Sequence, residues 1–250
     1  MILNTSYGKL QRIEKLKNRF GFFNFLALDH QLSLGRIQEI DSYKNWLDFS
    51  NTVDISGIVL NKGAFREITP TNKKSLILQT IGAPFKDNSI SRISTATIED
   101  AIRFDATCIS IQMNFEEADY LKQIELCVSK IEEANKFNLP VLCMLNYSKA
   151  TTFNLSLFTK YIKHCAELGV DFIKLPLPND IDKNDNDLKK FISLSPPLLF
   201  AGGDKNENFL TDIQTSKDLG FKGVCVGRNV FKSPNPSETI NQINLIFSHE

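Results

Sequence analysis

Val170-Asp171-Phe172-Ile173-Lys174-Leu175-Pro176-Leu177-Pro178 is the stretch on which the fold turns. It follows Ala166-Glu167-Leu168-Gly169, where the glycine can adopt the left-handed conformation that closes a helix. The run Val170 to Leu175 is apolar except at Asp171 and Lys174. A short apolar run between a helix and a pair of prolines reads as a buried parallel strand. Lys174 then sits at the carboxyl end of a core strand, a costly place for an ammonium ion. Burial lowers a lysine pKa, and a neutral lysine attacks carbonyls and forms Schiff bases. The competing reading is a lysine that snorkels out of the strand end or pairs with a carboxylate.

Working outward, seven more runs of the same kind lie along the chain. They are Phe23 to Leu28, Gly57 to Leu60, Ser75 to Gln79, Cys108 to Met113, Val141 to Leu145, Pro197 to Ala201 and Gly223 to Val226. They alternate with segments of helical period, at about 41–51, 98–104, 116–136, 155–168, 179–192, 207–219 and 238–247. Continuously apolar strands belong to parallel sheets covered on both faces. Eight such units in 250 residues match a (β/α)8 TIM barrel, read as a single domain over residues 1–250. A doubly wound open sheet is the runner-up. Its Gly-rich first turn is missing, because that turn reads Asp29-His30-Gln31-Leu32-Ser33. Residues 7–19 add an N-terminal helix with no strand before it, suited to covering the bottom of the barrel.

Composition narrows the function. The formal net charge is zero, which gives no reason to expect a nucleic acid or an anionic membrane as partner. No apolar run approaches the ~20 residues of a membrane helix, and no signal peptide is recognisable, so a cytoplasmic protein is expected. The five cysteines form no C-x-x-C pair and read as reduced small hydrophobes. The three histidines show no H-x-H or H-E-x-x-H spacing, so a zinc site of the usual kind is not expected.

A TIM barrel carries its site at the carboxyl ends of the strands. Those ends supply Asp29 and His30, Asn61 and Lys62, Gln112 and Asn114, Asn146 and Tyr147, and Lys174. Strand seven ends in Gly202-Gly203 with Asp204 and Lys205 beyond, and strand eight in Gly227-Arg228-Asn229. The last two strands are where such barrels commonly hold a phosphate. Glycines let the backbone approach the anion, and an arginine binds it. The bland alternative is a pair of tight turns with Arg228 on the surface. Lys62 and Lys205 read as solvated rim charges.

These pieces resemble a known family. Leu26-Ala27-Leu28-Asp29-His30, Asn146-Tyr147, Asp171-Phe172-Ile173-Lys174, Ala201-Gly202-Gly203 and Val226-Gly227-Arg228-Asn229-Val230-Phe231 stand in the order seen in the DhnA-type class I aldolases. That group includes archaeal-type fructose-bisphosphate aldolase and 2-amino-3,7-dideoxyheptulosonate synthase. The loop Leu32 to Arg36 and the segment Leu60 to Gly63 look closer to the heptulosonate synthases. The resemblance implies a metal-independent Schiff-base aldolase or transaldolase that needs no cofactor, acting on a phosphorylated sugar, in a homo-oligomer. By the same resemblance Lys174 is the Schiff-base lysine, Tyr147 the proton donor and Asp29 a proton acceptor. Gly202, Gly203, Gly227 and Arg228 would hold the phosphate, and His30 would touch substrate or pack behind it. The chain departs from the pattern at Ser148-Lys149-Ala150 after Tyr147, at Gln31 after Asp29-His30, and at Phe104-Asp105-Ala106-Thr107 before strand four. Those changes fall on loops that choose substrate. Two alternatives stay open: an acyltransferase or thiolase-like enzyme on a phosphorylated ketose, and a non-catalytic sugar-phosphate binder.

Overall fold

A computed structural model describes residues 6–84, 92–146 and 152–248. Eight parallel strands form its centre. They are β1 (Phe23–Ala27), β2 (Gly57–Leu60), β3 (Ser75–Gly82), β4 (Cys108–Met113), β5 (Val141–Leu145), β6 (Phe172–Leu175), β7 (Leu198–Phe200) and β8 (Gly223–Val226). Each pairs with its sequence neighbours, and β8 pairs with β1, which closes the sheet into a barrel. The (β/α)8 reading of the sequence is therefore correct, as is the placement of all eight strands.

The layer of helices follows, with α1 (Tyr7–Lys15) ahead of β1. Then come α2 (Tyr43–Ser50), α3 (Ile98–Arg103), α4 (Tyr120–Lys136), α5 (Leu155–Glu167), α6 (Asn186–Leu194), α7 (Phe209–Asp218) and α8 (Pro236–Ser248). The alternation is not perfect. The β2–β3 connection has only the 3-10 helix Lys62–Glu67. β3 runs longer than its apolar core suggested, through a register shift between Gln79 and Ile81, and pairs antiparallel with the two-residue strand Ile93–Ser94.

Four helices end in the same way. Asp105, Asn138, Gly169 and Gly220 all have positive φ, at 51°, 58°, 83° and 101°. The next residue in each case donates its N–H five positions back, as in Ala106 to Ala101 and Phe221 to Ser216. This is the Schellman closure, and it turns the chain from helix straight into strand. Gly169 thus closes its helix as expected, and Asp105 does the same work without being glycine.

Side chains alternate in and out along each strand. The inward set includes Phe23, Phe25, Val59, Ile77, Cys108, Leu142, Met144, Phe172, Leu199 and Cys225, all buried. Phe172 packs edge-on against Phe23, with ring centroids 4.9 Å apart. Leu16, just past α1, enters this interior cluster and is fully buried. The N-terminal helix therefore plugs the lower end of the barrel. It is pinned there by Lys9, whose Nζ lies 2.9 Å from Asp171 Oδ2 and 2.7 Å from Asn135 Oδ1. Asp171 also accepts from the Val141 backbone N–H at 2.8 Å, which ties the plug to the first residues of two strands. All five cysteines are free and buried.

Candidate active site at the barrel mouth

Lys174 is the third residue of β6, and it points inward because Phe172, two positions earlier, does. Its register partners are Met144 on β5 and Leu199 on β7. Its ammonium lies 3.9 Å from Met144 Sδ. On the other side it contacts the thiol of Cys225. Among the described residues no carboxylate forms an ion pair with Lys174. Among the described residues, then, nothing supports the reading in which a partner acid neutralises this lysine.

Asp29 follows β1 and is buried, 6 % exposed. Gln112, at the end of β4, donates to its Oδ2 at 3.2 Å, and Asn61 donates to its backbone carbonyl at 2.7 Å. Gln112 and Asn61 were visible in the sequence as strand-end polar groups without a role. The signal that finds Gln112 is parity: Cys108 points inward, so Ser110 and Gln112 do as well. Below Gln112, the Ser110 hydroxyl donates to Gln79 Oε1, giving the barrel a polar wall on this side.

His30 stands 3.8 Å from Asp29, measured Nδ1 to Oδ1, and its ring meets Phe231 edge-on at 5.4 Å. Burial pushes its pKa down to about 4. The positive charges of Lys174 and Arg228 add to that, while the Asp29 charge and the Ala27 backbone oppose it. At neutral pH the ring is uncharged, and its Nδ1 is buried without a hydrogen-bond partner. Burial likewise raises the Cys225 thiol to about 11, so it faces Lys174 as a neutral S–H.

The glycines meet different demands. A Cβ on Gly227 would fall 2.4 Å from the Ala27 carbonyl oxygen and 2.4 Å from His30 Cε1. A Cβ on Gly202 would fall 2.8 Å from both Asn229 Nδ2 and Phe209 Cε2. These two are glycines because neighbouring groups close in on the backbone. Gly203 has open space around it but φ +61°, the left-handed turn that follows β7. Asn229 fixes this corner: its Nδ2 donates to the Gly202 carbonyl at 2.9 Å, and its Oδ1 accepts from the Asn206 N–H at 3.3 Å. Arg228 is ion-paired with Asp204.

Of the residues singled out by sequence, Lys174, Asp29, His30, Gly202, Gly203, Gly227 and Arg228 all lie at the carboxyl ends of the strands. Tyr147 lies outside the described residues. Lys62 is a half-exposed rim charge held by a carboxylate, with its Nζ 2.7 Å from Asp100 Oδ2. Asp100 is also the carboxylate of the capping box that starts α3. Lys205 donates to the Lys232 carbonyl at 3.1 Å. Among the described residues no cluster of three His, Cys, Asp or Glu side chains is placed to hold a metal ion.

Comparison with known proteins bears on the family. The sequence model of the DeoC/LacD family aldolases matches residues 23–233. A 2-amino-4,5-dihydroxy-6-oxo-7-(phosphonooxy)heptanoate synthase of Streptomyces griseus is 22 % identical, over 98 % of this chain and 92 % of its own. A 2-amino-3,7-dideoxy-D-threo-hept-6-ulosonate synthase of Archaeoglobus fulgidus is 25 % identical, over 96 % and 90 %. Among solved structures, a Schiff-base-forming fructose-1,6-bisphosphate aldolase superposes with a TM-score of 0.83 at 19 % identity, covering 96 % of this chain and 99 % of its own.

Proposed function

The chain belongs to the DeoC/LacD family of aldolases, and from that premise we propose that Lys174 is its Schiff-base nucleophile, acting on the carbonyl of a phosphorylated ketose. The observation that carries this reading is the setting of Lys174. It is the inward lysine at the mouth of a closed barrel, flanked by two sulfur side chains rather than by a carboxylate.

The chemistry follows from that setting. The lysine amine adds to the ketone carbon, and loss of water leaves a protonated imine. The imine draws the electron pair of the neighbouring C–C bond. A base takes the proton of the β-hydroxyl, the aldehyde departs, and an enamine remains. Protonation of the enamine carbon and addition of water then release the product ketone and the free amine. Asp29 is the base in this proposal, held by Gln112 so that one carboxylate oxygen is oriented and the other stays available. Tyr147 is assigned the returning proton by its likeness to the family motif. The corner made by Gly202, Gly203, Gly227 and Arg228 takes the phosphate. His30, neutral and packed against Phe231, lies between that corner and Asp29.

The names of the two synthases give seven-carbon keto acids as their products, phosphorylated in the first, and so support a phosphorylated keto compound as a reactant or product here. We place the enzyme in the cytoplasm as a homo-oligomer. Among the described residues no helix is long and apolar enough to cross a membrane.

The test is intact mass after borohydride reduction, with and without dihydroxyacetone phosphate or fructose 1,6-bisphosphate, on wild type and Lys174→Ala. The reading requires an adduct at Lys174 that the variant lacks. An adduct at a different lysine sinks it.

A further inference from the structure

The phosphate corner already holds an anion, and it belongs to the chain itself. The Asp204 carboxylate is ion-paired with Arg228. The two side chains are 54 % and 23 % exposed, so the pair sits at the rim with its cation the more enclosed member. Arg228 is not saturated by this contact, because its Nε is buried with no hydrogen-bond partner. A guanidinium offers five N–H donors in a planar fork that suits a tetrahedral oxyanion. This one spends part of that fork on Asp204.

The backbone around Asp204 is held independently of its side chain. Asn229 grips the Gly202 carbonyl at 2.9 Å and reaches the Asp204 carbonyl at 3.5 Å. Lys205, the next residue, is tied to Lys232. The carboxylate can therefore leave Arg228 by rotating about its own side-chain bonds, with the loop left in place.

We propose that Asp204 is a specificity-determining residue that competes with the substrate's phosphate for Arg228. This deepens the function proposed above and rests on the phosphate corner being real. In the free enzyme Asp204 neutralises Arg228. A phosphate dianion displaces it, because the dianion brings more charge and more acceptor oxygens to the fork. A singly charged carboxylate brings no advantage over Asp204. The corner thereby selects a dianionic phosphate over other small acids, at a cost in phosphate affinity. Exposed ion pairs are weak, so the cost is modest, about three- to tenfold in Kd.

The experiment is a 31P NMR titration of inorganic phosphate into the full chain at low salt, for wild type, Asp204→Asn, Asp204→Ser and Arg228→Ala. Circular dichroism verifies that each variant is folded. The expected result is phosphate binding about three- to tenfold tighter in both Asp204 variants and lost in Arg228→Ala. Borohydride trapping gives a second readout. Asp204→Asn should lower the half-trapping concentration of dihydroxyacetone phosphate by a similar factor and leave that of unphosphorylated dihydroxyacetone alone, which a general effect on folding would not do. Equal or weaker phosphate binding in the Asp204 variants, with wild type still binding through Arg228, overturns the competition and spares the phosphate corner. Binding in none of the four proteins overturns the corner and the competition together.

Discussion

At Lys174 the ammonium meets sulfur where a surface lysine would meet water or a carboxylate. A thioether and a neutral thiol are poor substitutes for either, and on the proposed function this leaves the amine open to an incoming carbonyl. Removing the amine with Lys174→Met should abolish reductive trapping by ketose phosphate, while the far-ultraviolet spectrum stays that of the folded barrel. Asp29→Asn keeps the shape of the side chain and removes its basicity. General-base effects run to roughly 10²–10⁴-fold, so turnover should fall at least a hundredfold, measured by coupled assay once a cleavable substrate is in hand. His30 carries a pH dependence of its own. Its folded pKa of about 4 lies below the ordinary 6.5, so the unfolded chain binds the extra proton between those values. Stability from burying the neutral ring is fully present above pH 6.5 and drains away as pH falls toward 4. The span corresponds to about 3 kcal/mol at most. Urea midpoints at pH 7 and pH 5 should diverge in the wild type and converge in His30→Gln. The groups that set this behaviour are Asp29, Lys174 and Arg228, which face the ring from β1, β6 and β8.

At the scale of elements, the helix-to-strand turns offer a direct measurement. Asp105 holds a left-handed conformation that glycine adopts at less cost. Asp105→Gly should raise stability by about 0.5–1 kcal/mol, read from the urea midpoint, since the gain in the turn is partly offset by a looser unfolded chain. This position is also where the sequence departs from the family's usual glycine; it lies in a helix-to-strand turn at the end of the barrel away from Lys174, so this departure does not fall on a loop that chooses substrate. The elements themselves were legible because each strand is apolar on both faces and bounded by turn residues. The 3-10 connection after β2 was not, since Lys62-Gly63-Ala64-Phe65-Arg66-Glu67 is too short to show a helical period. The far end of β3 was also missed, because it depends on a register shift and a two-residue partner strand. Seven of the eight candidate site residues lie where strands stop, as the sequence placed them, and the eighth, Tyr147, falls outside the described residues. What the sequence could not carry was which polar groups would meet. The grip of Gln112 on Asp29 follows from inward parity combined with barrel closure. The pairing of Asp204 with Arg228 depends on side-chain torsions across two loops.

At the scale of the whole molecule, the barrel is held at its lower end by the buried pair Lys9–Asp171. Burial pushes the Asp171 carboxyl up, and Lys9 and the Val141 N–H pull it back. At and just before one strand, then, two charged residues face opposite ends: Asp171, ahead of β6, anchors the plug, and Lys174, three residues and ~10 Å further on, faces the mouth. Removing one partner strands the other. Lys9→Met should cost about 3–5 kcal/mol in chemical denaturation, and adding Asp171→Leu should recover part of the loss, a coupling that a double-mutant cycle measures.

Leu16 is fully buried beneath an interior packed with Phe23, Phe25, Leu142 and Phe172. Under the proposed function that packed floor leaves the mouth as the side from which a substrate comes to Lys174, and the water, the aldehyde and the ketone would leave by the same side. The fragment joined to Lys174 would be the last of them to go, because its release waits on hydrolysis of the imine.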